Sequence, residues 1–170
     1  MKVYLATDHT GLTLKDKVYK ALLELGYEVE DCGTYSYNKD DDYPDFIAKA
    51  AMAVAKNPQV NRGVIFGGSG QGEAMVANKF KGIRCALFYT PVIPLQTVNI
   101  EGDKSADPFE MLKLTREHNG ANMLSIASRF LTEEEVMQAV KIWLDTTDPT
   151  VERHLRRIEK IKQIEEKNNV

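Results

Sequence analysis

Short apolar runs alternate with amphipathic stretches along most of this chain. Residues 2–7, rich in Val, Tyr and Leu, predict a strand. Residues 12–25 predict a helix, because Leu14, Val18, Ala21, Leu22 and Leu25 share one face, and Gly26 follows where a helix end belongs. A second strand is expected over 27–32. An acidic loop, Asn38 to Asp42, then runs into Tyr43-Pro44, and the proline suits the first turn of an Ala-rich helix reaching Ala55. Further strands are expected at 62–66, 83–89 and 123–127, with the glycine turn 67–72 and a short helix 73–80 between the first two. Thr132 and Glu135 have capping-box spacing ahead of a face made by Val136, Ala139, Val140, Trp143 and Leu144. Asp148-Pro149 is read as the cap of a last helix. Its narrow stripe, Val151, Leu155, Ile158 and Ile161, suits either a neighbouring subunit or its own domain. Trp143 and the methionines are read as core.

Strands alternating with helices predict a parallel sheet covered on both faces. In such sheets ligands sit beyond the carboxyl ends of the strands, which puts Asp8, His9, the glycine turn and Arg129 on one rim. The segment Thr90 to Asp107 breaks the pattern. With Pro91, Pro94, Gly102 and a charged cluster it exceeds the usual ~2–6-residue connection, so it is a lid, a partner surface or a disordered loop.

Composition narrows the class. The 170 residues suit one domain, 1–170, and with 43% hydrophobic and 28% charged residues the chain has ordinary globular composition. Lys+Arg number 22 against 25 Asp+Glu, so a general nucleic-acid or membrane-surface binder is disfavoured. Cys32 and Cys85 are too few for a disulfide scaffold or a cysteine-built zinc site. With no apolar run near ~18 residues and no visible signal peptide, the expectation is a cytoplasmic protein with free thiols.

The turn Gly67-Gly68-Ser69-Gly70-Gln71-Gly72 offers backbone amides to an anion. A dinucleotide fingerprint fails, because Glu73 stands where the third glycine belongs and no acid ends the next strand near Tyr89. A P-loop fails too: Glu73 and Ala74 replace its Lys and Ser/Thr. There remains a carboxylate at a helix start, beside amides and the Ser69 hydroxyl. These are the parts needed to remove a proton next to a carbonyl, although a Glu there also serves simply to complement the helix dipole.

Asp8-His9-x-Gly11, Asp31-Cys32-Gly33, Asp42-Tyr43-Pro44, the glycine turn with Glu73, Ala77-Asn78-Lys79, Arg84-Cys85-Ala86-Leu87, Arg116-Glu117-His118-Asn119 and Arg153-His154-x-Arg156-Arg157 occur in one order. That series resembles the type B ribose-5-phosphate isomerases, in the wider group that includes galactose-6-phosphate isomerases. It covers nearly the whole chain except about Pro91 to Asp107, an unusual inserted segment. The resemblance implies a Rossmann-like three-layer α/β/α sandwich with about five parallel strands and a C-terminal helix at a dimer interface. It implies an aldose–ketose isomerase needing neither metal nor cofactor, with its active site shared between subunits of a homodimer or tetramer. No nucleic acid and no membrane enters this reading.

The resemblance also implies roles. Glu73 is the base, since this chain looks like the glutamate branch; the cysteine of the other branch is matched here to Gly68, leaving Cys32 and Cys85 outside the chemistry. Ser69 with the amides of Gly70 to Gly72 stabilises the enediolate, His118 opens the furanose ring, and Asn119 holds a sugar oxygen. Asp8 accepts from sugar hydroxyls, and His9 meets the ring oxygen or the phosphate. Arg129, Arg153 and Arg157 form the phosphate clamp, and Tyr43 lies near the sugar. The competing readings are a turn serine, a helix-capping histidine, a solvated charged face and a packed loop aromatic. A metal at Asp8 and His9 is a further rival, but three histidines without an H-x-x-x-H spacing argue against it. Ribose 5-phosphate is the expected substrate. An allose or galactose 6-phosphate, or sugar-phosphate binding without catalysis, is the alternative.

Overall fold

The computed structural model describes residues 1–168. Five strands, β1 (Lys2–Thr7), β2 (Glu28–Asp31), β3 (Arg62–Gly67), β4 (Cys85–Phe88) and β5 (Met123–Ala127), form one parallel sheet in the order β2-β1-β3-β5-β4. Among the described residues six helices connect and follow them: α1 (Leu12–Glu24), α2 (Tyr43–Ala55), α3 (Gln71–Ala77), α4 (Glu110–Glu117), α5 (Glu133–Asp145) and α6 (Glu152–Asn168). None is long and apolar enough to cross a membrane.

The period-two alternation of the strands builds two cores. Val3, Leu5, Val64, Phe66, Leu124 and Ile126 face α1, α4 and α5, where they meet Val18, Leu22, Leu112, Val140 and Trp143. Tyr4, Ala6, Ile65 and Met123 face α2 and α3, against Ile47, Ala50, Val54 and Ala77. Strands covered on both faces read as continuous apolar runs, which is why β1, β3 and β5 are legible without alternation.

Most expected elements are present within two residues. The short helix begins at Gln71, two residues early, and stops at Ala77, while the fourth strand is trimmed to Cys85–Phe88. The Thr132 hydroxyl accepts the Glu135 N–H and the Glu135 carboxylate accepts the Thr132 N–H, completing the capping box. Asp148-Pro149 does not cap the last helix, which starts at Glu152. Asp148 instead pairs with Arg62 at 3.0 Å and with Arg116 at 2.9 Å, two guanidiniums buried under the sheet end, whose charge demands a carboxylate more than a helix start does.

Residues 91–107 form neither helix nor strand. Val92 N–H donates to the Pro108 carbonyl at 2.7 Å, closing the base, and Val98 N–H donates to the Asp103 carbonyl at 2.8 Å, forming a turn through Gly102 (φ +89°). Ile93, Leu95 and Ile100 remain exposed along it.

Candidate active site

The carboxyl ends of β1, β3 and β5 converge on one rim, because parallel strands all deliver their following loops to the same edge. Asp8 and His9 follow β1, the glycine turn follows β3, and Ser128-Arg129 follow β5. The turn is fastened from below. Ser128 and Arg129 N–H groups donate to the carbonyls of Gly67 and Gly68 at 2.9 and 3.1 Å, and the buried Ser125 hydroxyl donates to the Gly70 carbonyl at 2.7 Å. Gly70 has φ +71°, and a side chain there would strike Leu87 and Ser125.

Glu73, in the first turn of α3, is 5% exposed. Its carboxylate lies over the Cα of Gly67: a methyl group at 67 would overlap both oxygens and the carboxyl carbon. Burial pushes this carboxyl above its ordinary range. Its own backbone N–H works against that shift, and the Asp8 charge adds to it. Desolvation therefore prevails over the backbone N–H at this position. The Ser69 oxygen lies 3.5 Å from the Gln71 amide, too long to tie the hydroxyl firmly. A side chain at Gly68 would meet the Arg129 guanidinium at 3.3 Å, and one at Gly72 would meet the Tyr43 hydroxyl at 2.6 Å. The glycine turn thus carries Glu73, Arg129 and Tyr43 packed directly on its backbone. A side chain at 67, unlike one at 68, would occupy the place of the Glu73 carboxylate.

Asp8 is buried and takes the Thr10 N–H at 2.8 Å and the Thr10 hydroxyl. His9 leans the other way. Its Nδ1 lies 2.6 Å from Asp41 Oδ1, which also accepts the His9 N–H at 3.2 Å. Asp8, His9 and Asp41 each offer an atom within 4.8 Å of the others, a metal-sized group, but Asp41 Oδ1 is already engaged by His9.

His118, Asn119, Arg153 and Arg157 form a second cluster elsewhere. His118 caps the C-terminus of α4, just before β5 begins, so it stands at the amino end of the sheet. Its ring stacks on His154 at 4.1 Å between centroids. Burial holds the His154 imidazole below its ordinary value, and the charges of His118, Arg153 and Arg157 add to this. Arg153 Nε is buried and makes no hydrogen bond among the described residues. Within one chain β5 separates Asn119 from Arg129, about 13 Å at ~3.3 Å per residue. The expected phosphate clamp is therefore split, with Arg129 on one edge and Arg153 and Arg157 at the other.

Cys32 and Cys85 are free thiols, and burial pushes Cys32 up to about 11 and Cys85 higher still, so neither supplies a thiolate at neutral pH. Sequence reasoning missed Gly67, Ser125 and Asp41. Ser125 sits in an apolar strand, where only its lone polarity signals a use. Asp41 is one of three consecutive acids, of which the neighbours Asp40 and Asp42 are exposed.

A model of the family described as Ribose/Galactose Isomerase matches residues 3–100 and 106–161, continuing ten residues into the segment expected to fall outside it. The chain is 36% identical over 165 residues to ribose-5-phosphate isomerase B of Mycolicibacterium paratuberculosis, covering 97% of this chain and 92% of that one. It is 33% identical to ribose-5-phosphate isomerase B of Escherichia coli, covering 99% of both. The crystal structure of the Mycoplasma genitalium ribose-5-phosphate isomerase B with bound ribulose-5-phosphate superposes with a TM-score of 0.84, at 34% identity, over 97% of this chain and 96% of that one. On these grounds, and on a glycine turn that seats a desolvated glutamate, the chain belongs to the ribose/galactose isomerase family.

Proposed function

We propose that this protein interconverts ribose 5-phosphate and ribulose 5-phosphate by proton transfer through a cis-enediolate, in a homodimer that joins the rim of one subunit to the His118 cluster of the other. The observation that carries the reading is Glu73: a buried carboxylate whose pKa desolvation raises, seated against Gly67 beside a loosely held hydroxyl and a cradle of amides.

The chemistry follows from these groups. The imidazole of His118, contributed by the second subunit, moves a proton to the ring oxygen and frees the C1 carbonyl. Glu73 takes the C2 proton, the C–H electrons form the C1=C2 bond, and O1 takes up the negative charge. Ser69 and the amides of Gly70 to Gly72 donate to the enediolate oxygens. A proton passes from O2 to O1, O2 becomes the carbonyl, and Glu73 returns its proton to C1. Asp8 and His9 hold hydroxyls, Tyr43 walls the sugar, and Asn119 holds an oxygen. Arg129 from one side, with Arg153 and Arg157 from the other, take the phosphate through their paired donors.

The dimer is supported by the split site and by α6. Leu155, Ile161 and Ile164 stay exposed on that helix beside the unpaired edge of β4, and a groove lined by Cys85, Ala86, Ala121, Ile161 and Ile164 runs there. Free thiols fit a cytoplasmic location.

The test is conversion of ribose 5-phosphate by pure protein in chelator, with Glu73→Gln and His118→Ala assayed alone and after mixing by unfolding and refolding. Turnover by the wild type, near-zero rates for each variant, and recovery of up to about a quarter of wild-type activity on mixing are expected, because half the dimers then carry one intact site. No recovery on mixing refutes the shared site. Turnover by Glu73→Gln refutes the base.

A further inference from the structure

His9 is held more tightly than its place in a loop requires. The connection between β2 and α2 starts with Gly33 and Thr34, which exchange backbone hydrogen bonds of 2.8 Å with Thr7 at the end of β1. Asn38 then builds a turn: its side-chain oxygen accepts the Asp40 N–H at 3.1 Å, and its carbonyl accepts the Asp41 N–H at 3.2 Å. That turn carries Asp41 back over the end of β1. Its side chain is 6% exposed, against 22% for His9. One oxygen, Oδ1, receives both the His9 backbone N–H and the ring Nδ1, while Oδ2 is buried and makes no hydrogen bond among the described residues. The Tyr37 ring stands edge-on to the imidazole at 5.7 Å and 82°.

An ionised carboxylate only accepts hydrogen bonds, so the nitrogen facing it must carry the proton. We infer that Asp41 is a positioning residue for His9, fixing the ring as the Nδ1–H form and leaving Nε2 as the nitrogen offered to a hydroxyl of the bound sugar phosphate. The partner of one ring nitrogen decides what the other can do. Without Asp41 the ring is free to turn and to exchange its proton between the two nitrogens, and a substrate hydroxyl then mostly meets a donor where the wild type offers an acceptor. The neighbouring carboxylate, Asp8, instead takes the Thr10 N–H and hydroxyl on one of its oxygens. Burying an oxygen without a partner is costly, so the loop keeps Asp41 in this place against a penalty that an exposed polar residue would escape.

The inference rests on the proposed isomerase reading only for the meaning of Nε2, and its first test needs no turnover. Long-range nitrogen–proton correlation spectra of protein carrying ¹⁵N-histidine read which ring nitrogen is protonated, with His9 assigned by its loss in His9→Gln. The expected result is Nδ1–H in the wild type, its retention in Asp41→Asn, whose carbonyl oxygen still accepts, and a change to mainly Nε2–H in Asp41→Ala. The second test is kinetic. Asp41→Ala is expected to lose about 10–100-fold in kcat/KM on ribose 5-phosphate, as displaced orienting groups commonly do. The same change in a His9→Ala background is expected to lose less than twofold. Nε2–H in the wild type overturns the inference, as does an unchanged tautomer in Asp41→Ala. An equal loss with and without His9 overturns it too. An inactive wild type would refute the isomerase reading and leave the tautomer result standing.

Discussion

Replacing Gly67 by alanine adds one methyl group, and that group lands on the proposed base. The ideal Cβ position at 67 overlaps the carboxyl carbon and both oxygens of Glu73. Unstrained heavy atoms sit about 3.5–4.0 Å apart, so the carboxylate must retreat by about 1 Å or more. The backbone at 67 is not in the left-handed region, so alanine brings no strain of its own. A displacement of about 1 Å at a reacting group costs about 10²-fold in rate, or about 2.7 kcal/mol at 1.36 kcal/mol per decade. Overpacking destabilises the fold by about 1–3 kcal/mol, which at this chain length lowers the melting temperature by roughly 2–12 °C. Gly67→Ala should therefore stay folded at room temperature and lose about 100-fold in kcat on ribose 5-phosphate, with KM within about threefold. The control is the pair of variants in Glu73→Gln, where Gly67→Ala should cost almost nothing further because the group it displaces is already disabled. A kcat within about threefold of wild type would refute the coupling of Gly67 to a catalytic Glu73. Loss of equal size in the Glu73→Gln background would show that the methyl acts on something else.

Glu73→Gln, an uncharged isostere, should lower kcat by about 10³-fold. Because the Glu73 carboxyl is raised in the folded protein, its burial favours folding fully only below the unfolded value and loses that contribution as pH rises through the folded one. Glu73→Gln should therefore melt higher than wild type at pH 8, the gap closing toward pH 4 in a calorimetric series, and the wild-type kcat/KM should fall in acid at a pH above the ordinary ~4.3 of glutamate. Arg129→Ala and Arg157→Ala should each raise KM about tenfold or more with kcat little changed; KM values within twofold would remove that arginine from the clamp. Asp148→Ala leaves the buried Arg62 and Arg116 without their carboxylate, so urea unfolding should show a loss of about 2–4 kcal/mol with kinetics intact.

The architecture was legible because strands buried on both faces advertise themselves as apolar runs, and because Gly26, Pro44 and the Thr132 box mark helix ends by chemistry that acts locally. The rim was legible for the same topological reason that puts ligands at the carboxyl edge of parallel sheets. Long-range demands escaped it. Asp148 looked like a cap because nothing near it in sequence reveals two buried guanidiniums 86 and 32 residues away (148 − 62 and 148 − 116). Asp41 was indistinguishable from its acidic neighbours until the fold buried it against His9. Whether the helix N-terminus or desolvation governs Glu73 is a question of how closely Gly67 and Asp8 approach, which spacing along the chain does not encode.

The separation of the two clusters also limits how subunits can combine. Glu73, the proposed base, the glycine turn and Arg129 lie at the carboxyl edge of the sheet, whereas His118, Arg153 and Arg157 lie at the amino edge. A head-to-tail contact would join one carboxyl edge to one amino edge and leave the others to recruit further copies, giving a ring or an open filament. A two-fold contact instead sets two sheets in opposite senses, so each carboxyl edge meets the partner's amino edge and both sites close at once. Such an arrangement needs the surface between the edges to be self-complementary, and the unpaired side of β4 with the exposed apolar face of α6 lies along that path. It also makes activity depend on protein concentration. A charged substitution such as Ile164→Asp, on α6 beyond Arg157, should weaken association, and the same dilution should then abolish turnover and shift the sedimentation coefficient to that of a monomer. Turnover that persists in a sedimenting monomer would place base and ring opener on one chain and refute the two-fold site.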